Sequence, residues 1–295
     1  MRKNSYLLLL LSLVMSFAFV SCEKPMSDSD EDISGMEDGH KVTFRISVPA
    51  TDETTRAASD AFTRITLAIY KDGTLIDQVS QSKDNDDFGN IEEKLENGTY
   101  QAIVLAHSCD GAVNISNNVY KVAMPDNKVS DSFWCNEEFT VDENTSNVNL
   151  SLERIVAKFV LNVEDNIPSN VKTMQFYYTG GSSTLDAING VGIVNSRQTV
   201  KIPITSDMVG KPATFEVFTF PRTDSETLKM KVTALNSTGA TITEMTFEDV
   251  PIAKNQVTTY SGSFFGGDPG TGDDTNVSFT ITVNTIWADQ ISEGF

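Results

Sequence analysis

Only two histidines, His40 and His107, are available for chemistry that needs an imidazole. A Ser-His-acid triad or a histidine-rich metal centre would have to be built from these two residues. His107 precedes Cys109 by two residues, and residues two apart on a strand share a face, so an imidazole and a thiol could meet there. No third group that would orient the imidazole can be identified. We therefore predict that the chain is not an enzyme and has no catalytic residue.

Two short motifs begin like ligand-binding loops but lack residues that binding requires. Asp84–Gly89 starts like a calcium loop, yet Phe88 and Leu95 stand where an oxygen ligand and a glutamate are needed. Gly190–Gly192 lacks the third glycine and the βαβ setting of a nucleotide-binding turn. Among the 41 acidic residues, no spacing singles out a pair for glycoside cleavage. The sequence therefore predicts neither a metal nor a cofactor.

The chain has a net charge of −19, from 22 basic and 41 acidic residues. This charge repels phosphate backbones, and no cluster of lysine or arginine relieves it, which argues against nucleic-acid binding. The hydrophobic content of 39% is enough to fill a core, so wholesale disorder is excluded. We expect a folded protein whose partners are not nucleic acids.

The N-terminus has the pattern of an exported protein. Arg2 and Lys3 precede an apolar run over residues 6–20, and Ser21 then precedes Cys22. This order is typical of a secretory signal peptide, here residues 1–21. A small residue directly before a cysteine resembles a bacterial lipobox, which makes Cys22 the lipidated first residue of the mature chain. Ordinary signal cleavage near the same point is the alternative.

A polar, acidic segment follows over residues 22–40, and we interpret it as a flexible tether because it cannot bury enough apolar surface to fold. Such tethers resemble those of Bacteroidetes lipoproteins exported to the outer face of the cell. We therefore predict a lipid-anchored protein of the outer membrane at the cell surface.

From residue 41 onward, apolar residues recur with the period of two that indicates β-strands. Residues 42–48 show the pattern clearly, and Asp72–Gly73 predicts a hairpin turn. Short strands with frequent turns predict an all-β fold. We divide it into two tandem β-sandwich domains, residues 41–152 and residues 153–265.

Two cysteines, Cys109 and Cys135, remain once Cys22 is lipidated. Both lie in polar, loop-like sequence of the first predicted domain, and an exported compartment permits a disulfide between them. The alternative is that both thiols stay unpaired, and the sequence does not favour either possibility.

A segment between the first strand and the rest of the chain contains one arginine, Arg56, among small and polar residues. An arginine in an exposed loop is accessible to an Arg-specific protease. A cut between Arg56 and Ala57 would sever the strand at residues 42–48 from the body. A solvated loop arginine without this role is the alternative.

The C-terminal tail is a second segment that could take part in assembly. Residues 266–276 have the composition of a flexible linker, and residues 277–295 begin with a patterned strand. Its apolar residues share one phase: Val277, Phe279, Ile281, Val283 and Trp287. Such a strand can fold back onto its own chain or complete the sheet of another molecule by satisfying open backbone groups. The pattern does not decide between these two states.

Together these features resemble the fimbrillins, the type V fimbrial subunits of Bacteroidetes, and their lipoprotein relatives. The cysteine motif, the acidic tether, the arginine junction, the segment Leu152–Phe159 and the terminal strand with Trp287 carry the resemblance. It implies two transthyretin-like β-sandwiches and export as a lipoprotein. In stalk subunits it also implies that an Arg-specific protease removes the first strand, here at Arg56–Ala57. The vacated groove then accepts the terminal strand of a neighbour, here residues 277–287, whereas anchor subunits keep their lipid and are not cut.

The resemblance makes other fimbrial subunits, the outer membrane and a receptor on a host or bacterial surface the expected partners. The alternative function is a surface lipoprotein that binds glycans in a nutrient-capture system. A glycan binder needs aromatic side chains on its surface, and Trp134 and the pair Tyr177–Tyr178 are the candidates.

Overall fold

The computed structural model describes residues 39–48, 62–116, 118–195, 197–266 and 279–284. Their regular secondary structure is almost entirely β-strand, and the only helical element among them is a 3₁₀ turn at Pro125–Asn127. The predicted all-β fold class is confirmed.

The strands have two to twelve residues each, and many of them follow one another through short turns. The N-terminal half contains β1 (His40–Ser47), β2 (Arg64–Lys71), β3 (Thr74–Ser82), β4 (Asn90–Leu95), β5 (Gly98–His107), β6 (Val122–Ala123), β7 (Ser132–Val141), β8 (Asn147–Ser151) and β9 (Glu153–Arg154). The C-terminal half contains β10 (Ala157–Val163), β11 (Thr173–Thr179), β12 (Thr184–Asp186), β13 (Val191–Gly192), β14 (Gln198–Pro203), β15 (Ala213–Thr219), β16 (Glu226–Leu235), β17 (Thr241–Ile252), β18 (Val257–Gly262) and β19 (Phe279–Asn284). The predicted turn at Asp72–Gly73 joins β2 to β3, and both residues have the positive φ that such a turn requires, 51° and 73°.

The described strands form five sheets. The N-terminal half supplies two, with strand orders β4-β1-β8 and β3-β2-β5-β7-β9. The C-terminal half supplies β15-β10-β18-β19 and β14-β11-β16-β17. The fifth, β13-β12-β6, is small and takes strands from both halves. The arrangement is sandwich-like, because inward-facing residues of paired sheets enclose an apolar core in each half.

Buried residues fall into three clusters. The N-terminal core includes Phe44 and Phe133, and the C-terminal core includes Phe159 and Phe176. A third cluster draws on both halves and includes Ala68, Leu105, Ile155, Val156, Leu185 and Phe220. Because this third cluster joins the halves and the described residues all fall within one compact unit, the division into domains at residue 152 stays a prediction.

The chain passes from one core to the other over a few residues. Leu152 is buried in the N-terminal core, and Ala157 is buried in the C-terminal core. Between them, Arg154 donates two hydrogen bonds to the carboxylate of Asp131, from Nε at 2.8 Å and from Nη2 at 3.0 Å. The guanidinium also lies 4.6 Å from the centre of the Phe133 ring. This largely buried bidentate pair fixes the direction in which the chain leaves the first core.

A close contact between Trp134 and Gly190 also joins the halves. The indole N–H of Trp134 donates to the carbonyl of Ala187 at 2.7 Å. Gly190 has a φ of 63°, and a Cβ added there would lie 2.7 Å from Cε3 of Trp134. Glycine is therefore required at position 190 for both its conformation and its small size.

His107 is a titratable residue in the interior. Its exposed fraction is 0%, and its Nδ1 accepts a hydrogen bond from the backbone N–H of Cys109 at 3.2 Å. Its Nε2 has no hydrogen-bond partner among the described residues. Burial, with a smaller contribution from the charge of Arg64, lowers the pKa of His107 to about 4. The imidazole is therefore neutral at pH 7.

We expect Gly190→Ala to lower the free energy of unfolding by about 2–4 kcal/mol, because it adds an overpacked contact to the cost of a left-handed backbone. Gly239→Ala is the matched control: its φ is 81° and no atom lies within 4 Å of the added Cβ. That variant should lose only the backbone contribution, about 1 kcal/mol. Urea unfolding measures the free energy of unfolding of both variants. Equal losses in the two variants would show that the contact with Trp134 contributes nothing to the cost of Gly190→Ala.

The stability of the fold should depend on pH through His107. The unfolded chain binds a proton on this residue near pH 6.5 and the folded chain only near pH 4, so the free energy of unfolding should fall as the pH drops between these values. The loss of unfolding free energy caused by His107 should reach about 3 kcal/mol at pH 4 and should be absent above pH 7. Denaturant unfolding across this range should show a smaller loss for His107→Gln, whose side chain does not titrate. Parallel pH profiles for the two proteins would contradict this assignment.

Candidate strand-exchange site

β1 lies in the middle of its sheet and is paired on both sides. It runs antiparallel to β4, from His40 opposite Leu95 to Arg45 opposite Asn90. On its other side it runs parallel to β8 over Thr43–Ser47. The sheet therefore surrounds β1 with backbone partners on both edges, although β1 comes first among the strands and β8 lies about a hundred residues later.

The inward side chains of β1 fill the N-terminal core. Val42 and Phe44 are 0% exposed and Ile46 is 5% exposed. The ring of Phe44 meets that of Phe139 edge to face, with 5.3 Å between centroids. Full burial of three such side chains contributes about 5–9 kcal/mol before the cost of ordering them. Loss of β1 would open a groove with two free sheet edges and an apolar interior.

The predicted processing site lies between two ordered elements. Arg56 and Ala57 fall in residues 49–61, outside the described residues. Before them β1 ends at Ser47, and after them Phe62 is 1% exposed in the N-terminal core. A cut at Arg56 would therefore leave β1 attached to the body by noncovalent contacts alone.

The predicted lipidation residue, Cys22, also lies outside the described residues, as do the signal peptide and all but the end of the tether. These assignments stay predictions. In the described part of the chain, no helix combines the length and apolar character needed to span a bilayer.

The C-terminal strand folds back onto its own chain in this structure. β19 pairs antiparallel with β18, from Phe279 opposite Gly262 to Asn284 opposite Val257. β19 ends the order of its four-stranded sheet, so one of its backbone edges has no partner strand among the described residues. Val277 and Trp287 lie outside the described residues, and their place in the same phase stays a prediction.

The apolar phase of β19 is only partly covered. The ring of Phe279 lies 5.1 Å from that of Phe247 at the margin of the C-terminal core. Ile281 is 54% exposed and Val283 is 41% exposed. Opposite residues of antiparallel strands share a face, and Ile281 lies opposite the buried Tyr260. The apolar residues therefore lie on the core side of the sheet, but the core covers only the first of the three.

The two remaining cysteines are free thiols in this structure. Cys135 is 5% exposed and belongs to the N-terminal core, where burial raises its pKa to about 12. Cys109 packs against the third cluster instead, and burial raises the pKa of its thiol as well. The two side chains belong to different clusters, and the predicted disulfide between them stays a prediction.

The contact between His107 and Cys109 does not activate the thiol. The imidazole accepts a hydrogen bond from the backbone N–H of Cys109, and Sγ of Cys109 lies 3.1 Å from the carbonyl of Lys128, to which it donates. A neutral imidazole beside a thiol of raised pKa does not generate a thiolate. Within the described ranges, no group of three histidine, cysteine or acidic residues could hold a metal ion.

The aromatic residues considered for glycan binding do not form an exposed platform. Tyr178 is 2% exposed, and Tyr177 is half-buried. Trp134 is half-buried and in contact with Gly190, and the ammonium of Lys254 lies 5.7 Å from its ring centre. Tyr120, which the sequence pattern did not single out, is 62% exposed in a loop.

Comparisons with known proteins bear on the family and the fold of this chain. The family described as fimbrillin-A associated anchor proteins Mfa1 and Mfa2 matches residues 31–291. A comparison with curated protein sequences finds no match. A crystal structure of a candidate adhesin from Bacteroides thetaiotaomicron has a TM-score of 0.51 and 12% identity, covering 84% of this chain and 96% of that chain. This likeness concerns the fold.

Two further solved structures carry fimbrial names. The fimbrial anchor protein Mfa2 from Porphyromonas gingivalis is 13% identical, with a TM-score of 0.45 over 83% of this chain and 96% of that chain. A fimbrial assembly protein from Parabacteroides distasonis is 13% identical, with a TM-score of 0.46 over 83% of this chain and 99% of that chain. Because the family match spans most of its length, the chain belongs to the family of fimbrillin-A associated anchor proteins Mfa1 and Mfa2 and is a fimbrial or adhesin-like subunit.

Proposed function

We propose that the chain is exported as a lipoprotein acylated at Cys22 and joins neighbouring fimbrial subunits at the cell surface by strand exchange. The observation that carries the proposal is the position of β1 between β4 and β8, with its inward side chains fully buried. An intact subunit has no vacancy there. A subunit that loses β1 after a cut at Arg56 needs a replacement strand.

The replacement must satisfy two rows of backbone groups and refill the pocket of Phe44. Strand addition does both, because main-chain hydrogen bonds provide affinity while alternate side chains enter pockets. β4 runs antiparallel to β1 and β8 runs parallel to it. A replacement strand therefore restores the native pairing only when it runs in the same direction as β1.

The C-terminal strand is the segment best suited to be donated. β19 is bonded to one neighbouring strand, whereas β1 is bonded to two. Two of its three apolar residues, Ile281 and Val283, are partly exposed where they now lie. Release of β19 therefore breaks fewer contacts than release of β1, and transfer to a vacant groove would bury apolar surface that is now in water.

The role is structural and adhesive, and we assign no catalytic activity to it. His107 is neutral and buried, and the thiol of Cys109 has a raised pKa, so neither is prepared for catalysis. Whether the chain is cut at Arg56 distinguishes the two fimbrial roles that the proposal allows. A stalk-type subunit is cut at Arg56, and an anchor-type subunit keeps β1 and its lipid.

Cys22→Ala should abolish acylation and move the protein from the membrane fraction to the soluble fraction, because no other segment is expected to anchor it. Labelling with a radioactive fatty acid and membrane fractionation measure both effects. Cys109→Ala is the control and should stay lipidated and membrane-bound. Membrane association that persists in Cys22→Ala would contradict the proposed anchoring.

Limited digestion with an Arg-specific protease should cut first after Arg56, since Arg45, Arg64 and Arg154 lie in strands and Arg222 is paired with Glu226. Arg197, which is exposed between β13 and β14, is the competing site. The product should begin at Ala57, which N-terminal sequencing identifies. At increasing concentration the cut protein should form ladders on native gels. Deletion of residues 275–295 should leave a folded monomer that forms at least tenfold fewer ladders.

Two single substitutions test whether the apolar face of the tail strand, and not its opposite face, is needed for ladder formation. Ile281→Asp, in the apolar phase, should suppress ladders as the deletion does, because a carboxylate would be buried in the groove. Thr282→Asp, on the opposite face of the strand, should leave them largely intact. Ladders that persist after the deletion would rule out this tail as the donor.

A further inference from the structure

A small cleft opens where β2 begins and β3 ends, and polar side chains line it. Arg64 of β2 lies opposite Ser82 of β3. Two residues further along, Thr66 lies opposite Ser80, so all four side chains share one side of the sheet. On the same side, Ala68 is buried in the third cluster. The cleft therefore lies at the polar end of a face whose middle is apolar core.

The cleft is small and is closed by two loops. Its volume is about 250 Å³. The loop after β3 contributes Asn85 to the lining, and the loop after β5 contributes Ala112. Cavities that hold drug-sized ligands measure about 300–1,000 Å³, so this cleft has room for one small unit. A longer ligand could place only one of its units inside.

The guanidinium of Arg64 is the charged group of the cleft. Arg64 is half-buried, and its side chain has no hydrogen-bond or ion-pair partner among the described residues. Its five N–H donors lie in one plane and fit a carboxylate through two parallel hydrogen bonds. Arg154 uses its guanidinium in this way on the carboxylate of Asp131. Arg64 has the same chemistry but lacks the carboxylate.

A second donor without a partner lies on the same face. His107 is opposite Arg64 where β2 pairs with β5, and burial, followed by the charge of Arg64, lowers the pKa of its imidazole. Because Nδ1 accepts a hydrogen bond from Cys109, the neutral ring carries its proton on Nε2. That buried N–H finds no acceptor in the described part of the chain. The surroundings of Arg64 therefore offer hydrogen-bond donors and favour an anion.

The loop that carries Asn85 is held in place by its own hydrogen bonds. The side chain of Gln81 accepts from the backbone N–H of Gly89 at 2.9 Å and donates to the carbonyl of Asn90 at 2.9 Å. Oδ1 of Asn85 accepts from the backbone N–H of Ser82 at 2.8 Å. Nδ2 of Asn85 has no partner among the described residues and can donate to an oxygen in the cleft.

Two serine hydroxyls add acceptors to the cleft. Thr66 donates to the carbonyl of Val113 at 3.4 Å, so the hydroxyl of Ser80, 3.0 Å from Oγ1 of Thr66, donates to that oxygen. The hydroxyl of Ser82 donates to Oδ1 of Asn85 at 3.3 Å. Both serine oxygens keep lone pairs that can accept from a ligand. Donors for a carboxylate thus lie beside acceptors for hydroxyl groups.

We infer that the cleft binds an acidic sugar unit, with its carboxylate on the guanidinium of Arg64 and its hydroxyl groups on Asn85, Ser80 and Ser82. This inference gives a ligand class to the adhesive role and in that respect rests on the proposed function. The site includes neither the inward side chains of β1 nor the C-terminal tail. It also differs from an aromatic platform, because charge and hydroxyl contacts select the ligand.

The surrounding charge favours a ligand with a single carboxylate. Asp84, Asp86 and Asp87 flank Asn85 in the loop, and none of the three lines the cleft. A polyanion would extend past Arg64 and meet these carboxylates and the net charge of −19. One carboxylate in direct contact with the guanidinium gains a charge-assisted pair of hydrogen bonds at short range. The cleft therefore suits a sugar acid better than a polysulfated or phosphate-rich chain.

Titration of the uncut full-length chain with sodium glucuronate, followed by calorimetry or NMR, tests the site. Glucose and acetate each carry only one part of the ligand chemistry, the hydroxyl groups or the carboxylate. Both should bind roughly tenfold or more weakly than glucuronate, because each loses one set of contacts. Added sodium chloride should weaken the binding of glucuronate, since the ion pair with Arg64 is only half-buried.

Three substitutions locate the site. Arg64→Gln should weaken glucuronate binding roughly tenfold to a hundredfold through the loss of charged hydrogen bonds. Asn85→Asp keeps the Oδ1 acceptor of the loop but places a carboxylate in the cleft as a competing partner for Arg64, and should weaken binding as much. Lys83→Gln is the matched control, because it removes an exposed charge from the same loop without altering the cleft lining, and should change affinity less than about twofold. Urea unfolding verifies that each variant is folded.

The outcomes separate this inference from the strand exchange and the lipid anchor. Glucuronate binding that is lost in Arg64→Gln and Asn85→Asp and kept in Lys83→Gln supports the inference. Absence of glucuronate binding, equal binding of glucose, or full binding in Arg64→Gln overturns it. Equal binding of acetate overturns the assignment to a sugar. None of these measurements uses cleavage, ladders or the lipid, so their failure leaves the proposed assembly standing, and absence of ladders leaves the cleft standing.

Discussion

A strand in the middle of a sheet has to be hydrogen-bonded along both edges. The sheet and the core of the N-terminal half depend on this pairing of β1. β4 and β8 meet only through β1, and the inward residues of β1 occupy the centre of the core between the two sheets. Without a strand in this place, two rows of backbone groups and the pocket of Phe44 would face water. In the proposed assembly, the place of β1 is filled either by the chain's own first strand or by an equivalent one.

The C-terminal strand has the complementary property. It is bonded along one edge, and the core covers only part of its apolar phase. One chain thus contains a strand that is hard to remove and a strand that is easy to remove, and the two present the same inward side chains. In the proposed assembly, a single cut at Arg56 decides which of them fills the groove.

A further region, which we call the joint, connects the N-terminal and C-terminal halves and includes neither β1 nor β19. The third cluster, the small sheet of β6, β12 and β13, and the hydrogen bond from the indole of Trp134 to the carbonyl of Ala187 connect the halves through buried contacts. His107 and Cys109 lie beside this region and serve packing, since both are held in their neutral forms.

The sequence alone determined the class of fold, the direction in which each side chain of the patterned strands points, and the turn at Asp72–Gly73. These are local properties, because an alternating pattern sets the two faces of a strand and a turn needs positive φ at adjacent residues. The same reasoning gave the common phase of Phe279, Ile281 and Val283. The sequence motifs also resemble those of the fimbrillins, and the family match agrees with this resemblance.

Only the tertiary structure decided which strands are neighbours. The parallel pairing of β1 with β8 joins residues about a hundred positions apart, and no local pattern encodes it. The strands of the joint are two or three residues long, too short to show a period, so the connection between the halves could not be predicted. The burial of Trp134 against Gly190 and the place of β19 beside β18 follow from the same fact: a pattern fixes the face of a strand, whereas its partner depends on the packing of the whole chain.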